Sequence, residues 1–209
     1  MAKYKLEHMV VGQLGTNCYF LRDEATGATA VIDPGGNSNK IIEYIKENNL
    51  EISAIINTHG HFDHITANSK VAEFTGAPII IHNEDEPWLR HNKNGIGDGQ
   101  KLQFVSDGDV IKIGEIKLNV LHTPGHTPGG ISLYLAAGQT GEAGLLFSGD
   151  TLFFNSVGRT DLIGGDFDKL MNSICKKLLL LPDETTVFPG HGPSTTIGNE
   201  KEHNPYLRS

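Results

Sequence analysis

Cysteine is scarce in this chain. Two occur in 209 residues, Cys18 and Cys175, too few and too far apart for a disulfide framework or a CxxC pair. Both read as reduced structural thiols. Long apolar runs are missing too: "MAKYKLEHMVVGQLG" interrupts its hydrophobic residues with Lys5, Glu7 and His8, and no later run reaches membrane-spanning length. A soluble, cytoplasmic protein is expected. Positive charge is in deficit, with 17 Lys and Arg against 25 Asp and Glu and a net charge of −8. That balance opposes association with phosphate backbones and anionic lipid, so neither a nucleic acid nor a membrane is an expected partner. Repeats, low-complexity tracts and convincing linkers are absent as well, which predicts one domain over 1–209.

The segments that remain carry clear patterns. "KLEHMVV", "NCYFLR" and "AVID" alternate with turn signals as in an antiparallel meander. "NSNKIIEYIKENN" places Ile41, Ile42 and Ile45 at helical spacing before the short strand "ISAII", and "ITANSKVAEFTG" followed by "APIIIH" repeats helix then strand. A looser polar stretch holds a short helix around Trp88. The strands "VIKIG", "IKLNVLH", "ISLYLA" and "GLLFSG" follow, then the helix "DFDKLMNSICKKLLLL", with Phe167, Leu170, Met171, Ile174 and Leu178 on one face and Pro182 as its stop. "TTVFPGHG" reads as a last strand running into a loop. This mixture suits an α+β arrangement of two packed sheets with helices outside them better than a doubly wound parallel sheet.

Several strand-like runs end on metal-binding residue types. "INTHGHFDHI" sets His59, His61, Asp63 and His64 after one run; "LHTPGHTPGG" brings His126, "LFSGDTL" Asp150 and "VFPGHGP" His191. Side chains at i and i+2 of an extended segment share a face, so His59 and His61 can converge on one cation while Asp63 and His64, past the bend, address a neighbouring point. Imidazole and carboxylate suit Zn, Fe or Mn, and Gly60, Gly125, Gly149 and Gly190 let the backbone bring the donors together. His8, His82, His91, His122 and His203 lack this context and read as surface or hydrogen-bonded histidines.

In order and across most of the chain, "THGHFDH", "TPGHTPG", "SGDTL" and "PGHG" resemble the motif series of the metallo-β-lactamase fold superfamily. The resemblance implies a four-layer αββα sandwich with two divalent metal ions along one edge, zinc before iron or manganese. His59, His61 and His126 match the first metal position, Asp63, His64 and His191 the second, and Asp150 the bridging carboxylate. Asp33 in "VIDPGG" matches an acid that orients a ligand imidazole through its other nitrogen, although an Asp before Pro-Gly also initiates turns. The most familiar β-lactamases have cysteine where Asp150 stands and flavodiiron reductases have glutamate where His61 stands, so neither reading fits. A superfamily nuclease needs an added RNA-holding arm for which an acidic chain of this length has little room.

"NSVGRTDLIGGD" resembles the GRTD segment of glyoxalase II-like hydrolases and of persulfide dioxygenases. Arg159 there either forks onto a substrate carboxylate or ties its loop to Asp161 or Asp166. Only "GPSTTIGNEKEHNPYLRS" follows His191, so the expected match is the short-tailed, hydroxyacylglutathione hydrolase-like branch, without a helical glutathione-gripping domain. The resemblance implies attack by a metal-activated hydroxide on a small anionic thioester, with Asp63 as proton shuttle. A lactone is the alternative hydrolytic substrate. A persulfide dioxygenase with one Fe(II) on His59, His126 and Asp150 is the rival enzyme. A non-catalytic metal module is disfavoured because closed structural sites draw on cysteine. Oligomeric state stays open.

Overall fold

The computed structural model of the chain describes residues 3–208, the Thr140 side chain excepted. Met1, Ala2 and Ser209, the ends of the expected domain, lie outside the described residues. The first strands, β1 (Tyr4–Val11), β2 (Thr16–Asp23) and β3 (Ala28–Ile32), form the expected antiparallel meander. The sheet then continues in parallel. α1 (Ser38–Glu47) crosses to β4 (Glu51–Ile56), α2 (Phe62–Ile65) and α3 (Asn68–Thr75) to β5 (Ile79–His82), and α4 (Glu86–His91) to β6 (Leu102–Val105).

The second sheet is built from β7 (Val110–Ile113), β8 (Ile116–His122), β9 (Ile131–Leu135) and, past the short α5 (Ala137–Thr140), β10 (Leu145–Gly149). A small hairpin, β11 (Leu152–Phe153) with β12 (Ser156–Val157), stands apart from it. α6 (Phe167–Lys176) then crosses to β13 (Thr186–Pro189), which runs parallel to β10, and β14 (Thr195–Thr196) and α7 (Ile197–His203) follow. The spatial order is β14-β13-β10-β9-β8-β7.

Strand alternation decides the layers. In β3, Ala30 and Ile32 face the second sheet while Val31 meets α1 and α3; in β10, Leu145 and Phe147 face the first sheet while Leu146 meets α6. One core therefore lies between the sheets and one beneath each helical layer, the αββα sandwich expected from the motifs. Among the described residues no helix is long and apolar enough to cross a membrane.

Local departures have local causes. The helix expected over "ITANSKVAEFTG" begins only at Asn68, because Ile65 closes a separate turn, α2, that carries Asp63 and His64 before α3. The helix expected to run to Pro182 ends at Lys176 and tightens into a 3-10 turn over Leu178–Leu180, and Phe167, placed on its apolar face, is 49% exposed. β6, with only one fully buried residue, and α7, rich in polar residues, carried too little periodicity to be anticipated.

A buried acid ties the sheets together where the site lies. Asp85 follows β5 in a 3-10 turn and is fully buried. Its Oδ2 accepts from the Gly60 amide at 2.7 Å and the Thr127 hydroxyl at 2.7 Å, and its Oδ1 accepts from the Gly129 amide at 2.7 Å. Gly60 belongs to the loop after β4, Thr127 and Gly129 to the loop after β8, so one carboxylate links both. Burial raises its pKa, and the three donors oppose that by satisfying the ionised form. Asp85→Ala strands two amides and a hydroxyl, and is expected to cost about 2–4 kcal/mol in urea unfolding. An unchanged midpoint would contradict the clamp.

Candidate metal centre

Parallel strands collect their carboxyl ends at one edge, and the polar residues sit there. Asp33 follows β3, His59 and His61 follow β4, Asp63 and His64 ride on α2, His126 follows β8, Asp150 follows β10 and His191 follows β13. Asp33 holds a left-handed φ of 52°, a conformation that L side chains rarely adopt and that marks a constrained position. Gly190 is constrained differently: a Cβ there would lie 2.2 Å from Asp150 Oδ1 and 2.7 Å from His64 Cε1, so only glycine lets these groups meet.

Seven of the eight residues converge. His59, His61 and His126 form one group of donors, His59, His64 and Asp150 a second, and Asp63, His64 and His191 a third, each with its ligand atoms within 4.8 Å of one another. His61 Nδ1 lies 2.8 Å from His126 Nε2, and His64 Nε2 lies 3.3 Å from His191 Nε2. Asp150 spans the groups, with Oδ1 at 3.5 Å from His64 Nε2 and Oδ2 at 3.5 Å from His126 Nε2. Asp63 Oδ2 stands 3.2 Å from His191 Nε2 and 3.6 Å from His64 Nε2.

The hydrogen bonds behind these rings fix which nitrogen faces inward. Asp33 accepts from the Thr58 amide at 2.8 Å and the Thr58 hydroxyl at 2.6 Å. That hydroxyl, its proton spent on Asp33, accepts from His59 Nδ1 at 3.1 Å. His64 Nδ1 donates to Asp33 at 3.0 Å and His126 Nδ1 donates to the Arg159 carbonyl at 2.7 Å. Three imidazoles thus turn Nε2 towards the centre, the nitrogen a ligating histidine presents when its Nδ1 is tied outward.

The electrostatics agree with a demand for positive charge. Burial, then the imidazoles of His64 and His126, pushes His59 well below its ordinary pKa, and burial with His126 takes His61 down to about 4. Burial would lower His64 as well, but the carboxylates of Asp150, Asp33 and Asp63 outweigh it and hold its pKa up at about 9. Asp63 is held down at about 2 by His191 and His64, against its own burial. His59 Nε2 and Asp150 Oδ1 are buried without a hydrogen-bond partner, the latter with its His64 neighbour beyond hydrogen-bond geometry. Two orphaned ligand atoms and a buried imidazole ringed by three carboxylates fit divalent cations.

Arg159 stands differently from a free fork. Its exposed guanidinium is bound to Asp161 by Nε at 2.7 Å and by Nη2 at 2.8 Å, the second of the roles its sequence left open. Its carbonyl, which no side-chain motif reveals, is the group that positions His126. Sequence reasoning also passed over Asn17 and Tyr19, whose side chains donate to the Pro189 carbonyl at 3.0 Å and 2.6 Å and so secure the loop carrying His191. Asp85 was missed for want of a motif. Its place just past a third parallel strand, as Asp33 and His59 follow theirs, was the available signal.

Beside the centre a cavity of about 430 Å³ opens, lined by His126, Asp150 and His191 on one side and by Phe153, Phe154 and Val157 on the other. The model of the metallo-beta-lactamase superfamily matches residues 11–191. The probable metallo-hydrolase YqgX of Bacillus subtilis is 41% identical, with 97% of each chain covered. The hydroxyacylglutathione hydrolase GloC of Haemophilus influenzae is 35% identical, with 98% of each chain covered. Among solved structures, the BLEG-1 B3 metallo-beta-lactamase superposes with a TM-score of 0.88 at 36% identity, covering 98% of this chain and 100% of its own. With the family model spanning most of its length and the αββα sandwich carrying the donors on one edge, the chain belongs to the metallo-beta-lactamase superfamily of metal-dependent hydrolases.

Proposed function

We propose that the chain holds two divalent cations, zinc foremost, and hydrolyses small anionic thioesters such as hydroxyacylglutathiones. The observation that carries this reading is the convergence of three donor groups that share His59 and His64, around a carboxylate with an orphaned oxygen. His59, His61 and His126 would hold one ion and Asp63, His64 and His191 the other, with Asp150 between them. When bound, such ions act as Lewis acids and lower the pKa of water from 15.7 towards about 7.

The protein's own groups do the rest. Asp33, Thr58 and the Arg159 carbonyl keep the ring protons on the outer nitrogens. Asp63, ionised at neutral pH, lies 3.4 Å from the Thr16 hydroxyl and 3.2 Å from His191 Nε2, and can accept a proton from attacking water. A thiol of pKa near 8.5 departs as thiolate without a dedicated acid, which favours a thioester over an amide. The cavity is of a size for a small acyl group against Phe153, Phe154 and Val157. The similarity to the Haemophilus influenzae hydroxyacylglutathione hydrolase supports the same substrate class.

Metal quantification on purified protein, with a panel of thioesters, a lactone, a β-lactam and glutathione persulfide, tests the reading. About two ions per chain and thiol release from a thioester are expected. One iron with oxygen uptake on the persulfide, or turnover of the lactone or β-lactam alone, would overturn it. His59→Ala and Asp150→Ala are expected to lose metal and nearly all turnover while keeping the far-ultraviolet circular dichroism of the fold; full activity in either contradicts the assignment. Asp33→Asn is expected to weaken metal retention about 10–100-fold in chelator competition, and wild-type retention would remove its proposed role.

A further inference from the structure

The last helix reaches back to the wall of the cavity. Glu200 lies on α7 and is wholly buried, a carboxylate with hydrogen-bond donors on both oxygens. Its Oε1 accepts from the Thr195 hydroxyl at 2.6 Å and from Asn199 Nδ2 at 2.9 Å, and its Oε2 accepts from the Asn155 amide at 2.9 Å and from Asn204 Nδ2 at 2.7 Å. Asn204, also buried, donates from the same nitrogen to the Ser156 carbonyl at 3.1 Å. Asn155 and Ser156 sit at the tip of the β11–β12 hairpin, where Asn155 holds a left-handed φ of 53°. Two buried residues of the C-terminal segment therefore grip this tip, through directional bonds that fix its place.

What the grip positions is apolar. Phe153, Phe154 and Val157 of the same hairpin line the cavity of about 430 Å³, together with Pro193 from the loop after β13. Phe154 is 48% exposed, so an acyl chain seated against it covers apolar surface that water now meets. Away from the metal-binding donors the lining has little to hold an anion. Among the described residues its one guanidinium or ammonium is that of Arg159, already engaged by Asp161 at 2.7 Å and 2.8 Å. A substrate carboxylate entering there competes with Asp161 for the same fork. Size points the same way, because pockets of roughly 300–1,000 Å³ hold drug-sized ligands, far more than the methyl side chain of a lactoyl group.

Given hydrolysis at the metal centre, on which this inference rests, we propose that the cavity selects thioesters whose acyl group carries an apolar side chain larger than methyl, seated on Phe153, Phe154 and Val157, and that Glu200 is the positioning residue of this wall. An aliphatic chain gains there by the area it buries. An aryl group gains further from offset or edge-on contact with the two phenylalanine rings. The charges of the thiol carrier stay outside the hairpin wall.

Glutathione thioesters of lactate, 2-hydroxybutanoate, 2-hydroxyhexanoate and mandelate, assayed on the zinc-loaded full chain, measure the preference. kcat/KM is expected to rise about two- to fourfold per added methylene, mostly through KM, with mandeloyl above lactoyl. Phe154→Ala and Glu200→Gln are each expected to flatten that rise, with the zinc content of both variants kept. A Glu200 of merely structural use would lower every thioester alike and leave the slope. Calorimetry with the free acids reads the pocket without turnover: 2-hydroxyhexanoate is expected to bind the wild type more tightly than lactate, by a ratio that Phe154→Ala reduces. A flat or falling series, a slope that either variant leaves intact, or equal affinity for the two acids overturns the proposal. Lactoyl turnover with a flat series leaves the hydrolase reading standing, whereas a retained preference for the longer acid without turnover of any thioester counts against hydrolysis alone.

Discussion

Carboxylates and imidazoles crowded into one largely buried edge create an electrostatic debt that the fold alone does not settle. Asp33, Asp63 and Asp150 place negative charge around His64, which is wholly buried and held protonated to a pKa of about 9 against its own desolvation. Removing such groups from water is costly unless positive charge or hydrogen bonds compensate. On the outer side of the cluster, His59, His64 and His126 make hydrogen bonds to Thr58, Asp33 and the Arg159 carbonyl. Inside it, His59 Nε2 and Asp150 Oδ1 have none. The imbalance points inward, towards cations.

Everything around the centre serves to hold that arrangement. Parallel strands β3, β4 and β5 deliver Asp33, His59 and Asp85 at successive ends of the first sheet, and β8, β10 and β13 deliver His126, Asp150 and His191 from the second. The sheets meet through a shared apolar core, yet apolar contacts are not directional enough to set donor positions to a fraction of an ångström. Directional bonds do that work: the Asp85 clamp between loops, and Asn17 and Tyr19 on the final loop. The left-handed backbone at Asp33 is a constraint tolerated in return for its position behind both Thr58 and His64.

Much of this was legible in the sequence because it is local. Strand alternation gave β1 to β3, helical spacing gave α1 and the buried stripe of α6, and the HxHxDH spacing brought the candidate donors to one place. What stayed hidden depends on contacts distant in sequence or on backbone atoms. The Arg159 carbonyl leaves no side-chain trace, and the reach of Asp85 to Gly60 and Gly129 crosses 25 and 44 residues. Likewise His82 and His122 each look ordinary until two sheets stack their rings. Phe167 fits the apolar stripe of its helix by spacing but lies at the first turn, where it is left half exposed. Periodicity reports which face of a helix turns inward, and not how far the covering layer extends.

The most direct measurement is an anomalous-scattering map from crystals of metal-loaded protein, collected on either side of the absorption edge of the bound element. The account predicts two peaks about 3.5–4 Å apart, one among His59, His61 and His126 and the other among Asp63, His64 and His191, with Asp150 reaching both. A cradle with no peak, or one whose imidazoles turn away from the density, would contradict it.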